Sequence, residues 1–241
     1  MSIVEKLLQD RPSFHMGGDA RWDCTVGMLR YIRDNVKPTD RTLEVGCGVS
    51  TVVFASIGCD HTVLSPDPRE HERVLAYCDA KGIDRSRLKF AVGFSDDVLP
   101  DLCKDRSLDV AFIDGAHHFP YPLVDWHYVS RALKVGGCLL LDDIPIPAVS
   151  VAYRFMRTDP AWRLEEVLDS RAAVFTLLTE PGQQDWTEQA FCRRMDYSFA
   201  PMPTRVALQV SDEVRRVRKS VGRRYPSLRR LLVKQKAVQG Q

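Results

Sequence analysis

The stretch RTLEVGCGVSTVVFASIG, residues 41–58, constrains the fold more than any other part of the chain. A short apolar run ends in glycines, and a second apolar run of helix length follows and stops at Gly58. Strand, glycine turn and helix form the opening unit of a doubly wound sheet. Glycine, lacking a Cβ, permits the tight turn and lets backbone lie against a ligand at the carboxyl edge of the strands. The alternation continues downstream. HTVLSPD (61–67) reads as a strand, PREHERVLAYCDAKG (68–82) as a helix with Pro at its first position and Gly at its end, and LKFAVG (88–93) as a strand. VLPDLCKD (98–105) reads as a short helix, LDVAFID (108–114) as a strand, PLVDWHYVSRALKVGG (122–137) as a helix, and CLLLDDI (138–144) as the continuous apolar run of a buried parallel strand. After a helix in PAVSVAYRFMRTD, the stretches WRLEEVLDS (162–170) and AAVFTLLTE (172–180) read as a closing hairpin turning at DSRA. Val26, Leu29, Ile32 and Val36, at helical spacing, place another helix ahead of the first strand. The predicted fold class is α/β: a Rossmann-like, doubly wound, seven-stranded sheet, mostly parallel with a closing antiparallel hairpin.

With 241 residues, 44% of them hydrophobic, the chain can bury one large core with appendages. The expected divisions are an N-terminal helical lid (1–40), a core (41–182), and a C-terminal extension with a basic amphipathic tail (183–241). The first ten residues include Glu5 and Lys6 and lack an apolar core, so neither a secretory signal nor a membrane span is expected. The seven cysteines are scattered and form no C-x-x-C pair, which argues against a disulfide framework or zinc cluster and for a reducing cytoplasm.

The net charge of +2 hides an asymmetry: residues from Arg205 onward carry a net +9 and the rest −7. Val210, Val214, Val217 and Val221 recur at helical spacing among arginines, and Leu228, Leu231 and Leu232 begin a second such stretch after Pro226. Such a tail can pack on the domain, lie peripherally on an anionic membrane, or pair subunits into a homo-oligomer. Tyr225 is its one aromatic residue, so stacking on nucleic-acid bases is poorly supported.

The glycine turn EVGCGVST (44–51) offers a cofactor site at a helix N-terminus. A dinucleotide fingerprint would place a third glycine where Thr51 stands, which weakens the reading as a nicotinamide-dependent oxidoreductase. Taken in order, LEVGCGVST, LSPDP, VGFSDDVLPDL, FIDGAHH and VGGCLLLDD resemble the motif series of class I S-adenosylmethionine-dependent methyltransferases. They resemble most the broad bacterial group related to small-molecule, catechol-type O-methyltransferases. The resemblance covers residues 41–144. It implies that Glu44 faces the methionine amine, that Gly46, Gly48 and Ser50 line the amino-acid part of the cofactor, and that Ser95 or Asp96 approaches the adenine. The family's ribose-binding acid at the end of the second strand is replaced by Ser65. Asp67 is the substitute candidate, or else it caps the helix opening at Pro68.

Asp114, Asp142 and Asp143 stand at the ends of two strands expected to be neighbours. In metal-dependent relatives of catechol O-methyltransferase, the matching positions hold Mg²⁺ against substrate oxygens. Asp143 departs from the usual Asn there, leaving open a more negative site or one without metal. The family's general base three residues after the first aspartate is a lysine; here it is His117, whose imidazole can accept a hydroxyl proton near neutral pH. Asp114 and His117 are thus the catalytic candidates and His15 a lid candidate, while His61 and His71 read as structural or exposed. The expected activity is S-adenosylmethionine-dependent O-methylation of a small molecule, sugar or glycan hydroxyl. The rival readings are a cofactor-binding scaffold docking on membrane or RNA through its tail, and the nicotinamide enzyme.

Overall fold

The computed structural model of the protein describes residues 1–15, 24–182, 185–193 and 195–224. The chain divides into two compact units, Met1–Gln184 and Asp185–Gln241.

The first unit holds β1 (Arg41–Val45), β2 (Asp60–Ser65), β3 (Leu88–Val92), β4 (Leu108–Ile113), β5 (Leu133–Leu141), β6 (Trp162–Leu168) and β7 (Ala172–Leu177), in the order β3-β2-β1-β4-β5-β7-β6. The first five run parallel, and β7 is antiparallel to both β5 and β6. Side chains alternate between the two faces. Val110, Phe112 and Leu140 join the core under α1 (Ile3–Asp10), α2 (Val26–Asn35), α3 (Val49–Ile57) and α4 (Pro68–Lys81). Ala111, Ile113, Leu139 and Leu141 join the core under α5 (Ser95–Leu102), α6 (Tyr121–Ala132) and α7 (Pro147–Met156). Both faces of the parallel strands are covered, which explains their near-continuous apolar sequences.

Strand order reverses between β1 and β4, and ligands in such sheets bind outside the carboxyl ends at that point. The two strand ends are locked together there. Asp114 N–H donates to the Val45 carbonyl (2.9 Å) and Gly46 N–H to the Leu64 carbonyl (2.9 Å). Gly46 has φ +111°, and a Cβ built on it would collide with the Asp114 carbonyl. Leu141 pairs with Ala173, so β7 begins where β5 ends and the hairpin turn stands at the same edge. That turn has Asp169 and Ser170 at φ 50° and 56°, and the Asp169 carboxylate accepts the Gly27 N–H of α2 (2.7 Å).

Two expected boundaries move. The helix expected over 122–137 ends at Ala132, because Leu133 is extended and pairs with Leu108. Gly136 and Gly137 are not its terminator: they lie inside β5, where the register shifts before Val110 meets Cys138. The helix expected from Val98 begins at Ser95, where Asp96 and Asp97 in the first turn suit the positive end of its dipole.

The N-terminal segment is stitched along successive turns of α4. Asp10 pairs with Lys81 (2.7 Å) and accepts from the Tyr77 hydroxyl (2.7 Å); Arg73 donates to the Phe14 carbonyl (2.5 Å); His15 meets Glu70 (2.8 Å). No two cysteines are bonded to each other.

In the second unit, α8 (Met202–Arg224) turns one polar side inward. Asp212 accepts from the Tyr197 hydroxyl (2.5 Å), and Arg205 donates to the Ser198 carbonyl (2.7 Å). Val206, Val210, Val214 and Val217 are exposed. The second amphipathic stretch, at Leu228–Leu232, lies outside the described residues. Among the described residues no helix is long and apolar enough to cross a membrane.

The Gly46–Asp114 contact generates a test. Gly46→Ala should destabilise the protein by at least about 2 kcal/mol in urea unfolding, from backbone strain plus steric displacement of β4. An unchanged unfolding midpoint would show that the turn tolerates a side chain.

Candidate active site at the carboxyl edge of the sheet

The ends of β1, β2, β4 and β5 open on a cavity of about 600 Å³, within the range of small-molecule sites. Its lining includes the whole glycine turn, Glu44 to Ser50, with Ser65, Asp67, Glu70, Ser95, Asp114, His117, Asp143 and Arg171.

Glu44 is 1% exposed, and its carboxylate is fully engaged. One oxygen accepts from the Ser50 hydroxyl; the other accepts from Thr51 (2.6 Å) and faces His61 Nε2 (3.2 Å). His61 is held in turn by Thr42 (2.7 Å) and stacked on Phe54 at 4.2 Å. Buried acids need such partners. Glu44 and Ser50 therefore stand on the cavity wall bonded to each other, while His61 and His71 are both buried.

At the end of β2, Asp67 caps α4: its carboxylate accepts the Arg69 N–H (3.0 Å) and pairs with the Arg69 guanidinium (2.9 Å). The acid that reaches the Ser65 position is Glu70, in the first turn of α4. It accepts from the Ser65 hydroxyl (2.6 Å) and meets His15 Nδ1 (2.8 Å). Burial works against its ionisation, but His15 and Ser65 together hold the Glu70 carboxyl below the usual glutamate value. Sequence reading missed Glu70; the available signal was an acid one helical turn beyond a serine standing where an acid is expected. Ser95 lies on the cavity wall at the start of α5, whereas Asp96 is exposed and outside the lining.

At the junction of β4 and β5, His117 Nε2 lies 3.6 Å from Asp114 and 3.3 Å from Asp143, buried but aligned for a hydrogen bond with neither. The Asp114 carboxylate first, and then the charges of Asp143 and Asp142, hold the His117 imidazolium above the usual histidine value. Burial pushes Asp114 and Asp142 above the usual carboxylate range. Asp142 accepts the Asp143 N–H with one oxygen (2.8 Å) and leaves the other buried and unpaired. Asp143 accepts from Arg171 Nε (2.5 Å). Arg171, which the sequence marked only as part of a hairpin turn, is the cation of this cluster. The sets whose donor atoms close to within 4.8 Å are Asp114–His117–Asp143 and Cys24–Asp114–Asp142, not the three aspartates.

Beneath the loop after β4, Asp125 is fully buried, and neither of its oxygens has a hydrogen-bond partner among the described residues. Burial pushes it up to about 7, with the Ser95 hydroxyl and His117 offsetting part of the effect. A buried acid with a raised pKa binds more protons folded than unfolded between pH 4 and 7, so wild-type stability falls as pH rises through that window and levels above it. Asp125→Asn carries no such proton. Its melting temperature relative to wild type should climb from pH 4 to 7, by up to roughly 4 kcal/mol of stability, and then level off. A pH-independent difference would mean that Asp125 is ionised when folded.

Residues 43–144 match a family model described as "Methyltransferase domain". A search of curated protein sequences found no match. Among solved structures, the fold is similar to an O-methyltransferase from Bacillus cereus in complex with SAH (TM-score 0.59, 14% identity, 74% of this chain and 91% of that one). It is also similar to a protein from Corynebacterium glutamicum (0.59, 15%, 74% and 91%) and to a methyltransferase from Geobacter sulfurreducens (0.52, 17%, 73% and 87%). At these identities the likeness is one of fold, and it agrees with the seven-stranded sheet and its antiparallel end. The methyltransferase-domain match over residues 43–144, set in that sheet, agrees with the class I S-adenosylmethionine-dependent methyltransferase that the motif series leads one to expect.

Proposed function

We propose that the protein methylates an oxygen of a small-molecule or sugar acceptor, with His117 as general base. The observation that carries this is the position of His117: its Nε2 stands between Asp114 and Asp143 on the wall of the cavity that also contains the glycine turn. The cofactor supplies an electrophilic methyl group on a sulfonium. Neutral His117 takes the hydroxyl proton at Nε2 as the acceptor oxygen forms its bond to the methyl carbon, and the electrons of the broken C–S bond return to sulfur. Asp114 and Asp143 stabilise the imidazolium that results. Nε2 is itself buried, so the proton passes on to the neighbouring carboxylates of Asp143 and Asp114.

Gly46 and Gly48 clear space for the methionine end, and Glu44, held rigid by Ser50, Thr51 and His61, orients that wall. Glu70, braced by Ser65 and His15, supplies the carboxylate for the ribose hydroxyls in place of the missing strand-end acid. Ser95 stands at the adenine end. The residues fit Mg²⁺ poorly: the group that converges with Asp114 and Asp143 contains an imidazole where an octahedral shell wants oxygens, and Arg171 already brings a positive charge to Asp143.

Titration with S-adenosylhomocysteine in the presence of a chelator tests the cofactor side. Wild type should bind, and Glu70→Gln should bind about 10-fold to 100-fold more weakly, the effect of removing a charge-assisted hydrogen bond. Equal affinity would remove Glu70 from the ribose site. The base is tested by the NMR titration of the His117 ring together with transfer of labelled methyl to a panel of hydroxyl compounds. The midpoint should lie above the ordinary value of about 6.5 and fall in Asp114→Asn. Any transfer detected should rise with pH through that midpoint and drop about 100-fold or more in His117→Ala. A transfer rate indifferent to His117 would overturn the assignment.

A further inference from the structure

Arg171 is not required by the turn that carries it. The left-handed conformations fall at Asp169 and Ser170, and Arg171 is the first residue after them. Its backbone is pinned at both ends: its N–H donates to the Leu168 carbonyl (3.0 Å), and its carbonyl accepts from Ile144 N–H (2.9 Å), just beyond Asp143. Asp169 anchors the same turn on α2 through Gly27. The side chain is therefore delivered to the cavity by a braced hairpin rather than by a loose loop.

Nε alone is used. It donates to Asp143 Oδ1 at 2.5 Å and lies 3.7 Å from Asp142, while the terminal Nη1 and Nη2 make no hydrogen bond among the described residues. The side chain is 39% exposed and lines the cavity. Asp143 fixes the geometry: its Oδ1 holds Arg171, and its Oδ2 lies 3.3 Å from His117 Nε2. The free guanidinium fork and the proton acceptor thus flank one carboxylate. A paired Nε immobilises the plane of the guanidinium, and the two terminal nitrogens of such a plane match the two oxygens of an oxyanion.

We propose that Arg171 binds an anionic oxygen group of the acceptor, a carboxylate or a phosphate, a few bonds away from the hydroxyl that His117 deprotonates. This rests on the methyl-transfer reading above and names its substrate class: a hydroxy acid or a hydroxylated phosphate ester. The charges permit it. Burial drives Asp114 and Asp142 toward their protonated forms, which leaves Asp143 facing Arg171 and the sulfonium of the methyl donor, so an anion at the Arg171 end does not enter a field of uncompensated negative charge.

The test uses the full-length protein saturated with S-adenosylhomocysteine and two matched pairs of probes: salicylate against salicyl alcohol, and glycerol phosphate against glycerol. Calorimetric titration should show about tenfold or greater preference for the anion in at least one pair, and which pair responds tells carboxylate from phosphate. Arg171→Gln should abolish the preference while still binding S-adenosylhomocysteine, and Arg171→Lys, which keeps the charge but loses the fork, should retain only part of it. The proposal is overturned if the loaded wild type binds neither anion, shows no preference in either pair, or keeps its preference in Arg171→Gln. Failure of wild type to bind S-adenosylhomocysteine would instead refute the cofactor reading, so the two can fail separately.

Discussion

The carboxyl edge of the sheet depends on the close approach of Gly46 to the Asp114 carbonyl. That contact, with the Asp114 N–H on the Val45 carbonyl, fixes the glycine turn against the end of β4. The cavity wall that receives a cofactor and the acid beside His117 are therefore two sides of one backbone junction. A side chain at position 46 would push the two walls apart, and every distance between the glycine turn and His117 would change with them.

The junction also concentrates acids, and the chain settles each in a different way. Glu44 is buried with two hydroxyls and His61, Glu70 with Ser65 and His15, and Asp143 with Arg171 and His117. Asp142 and Asp125 keep unpaired buried oxygens, and burial drives both toward the protonated form. Leaving a buried carboxylate charged and alone costs several kcal/mol, so either a cation or a proton must be present. Arg171 and His117 stand beside these carboxylates at the β4–β5 end.

The alternation of apolar runs and turn residues made the sheet and its helices legible, because buried parallel strands leave a continuous apolar signature. FIDGAHH and the paired aspartates could be read as a site because they end neighbouring strands. What the sequence hid depends on distant partners. Nothing local says that Glu70 reaches back to Ser65 or that His15 crosses to it, since 55 residues separate His15 from Glu70. Arg171 looked like a turn residue because its partner Asp143 is 28 residues away. Gly136 and Gly137 looked like a helix stop because glycine marks helix ends and strand irregularities alike. The basic tail was legible as amphipathic, but not which side is covered: α8 buries Asp212 and exposes valines, the reverse of what an apolar stripe alone suggests.

On the proposed reading a guanidinium stands where a metal would, which changes what an acceptor must look like. A divalent ion can hold two neutral oxygens of one acceptor and acidify a hydroxyl directly. A guanidinium already bound to Asp143 cannot lower a hydroxyl's pKa to that extent, so the proposed reaction needs a base, and His117 stands beside the same carboxylate. His117 at the position where the resemblance implies a lysine base, and Arg171 at the carboxylates, thus belong to one proposed arrangement. In the proposed reaction an oxyanion clamped at Arg171 orients the acceptor and His117 takes the proton, and the single carboxylate of Asp143 lies against both.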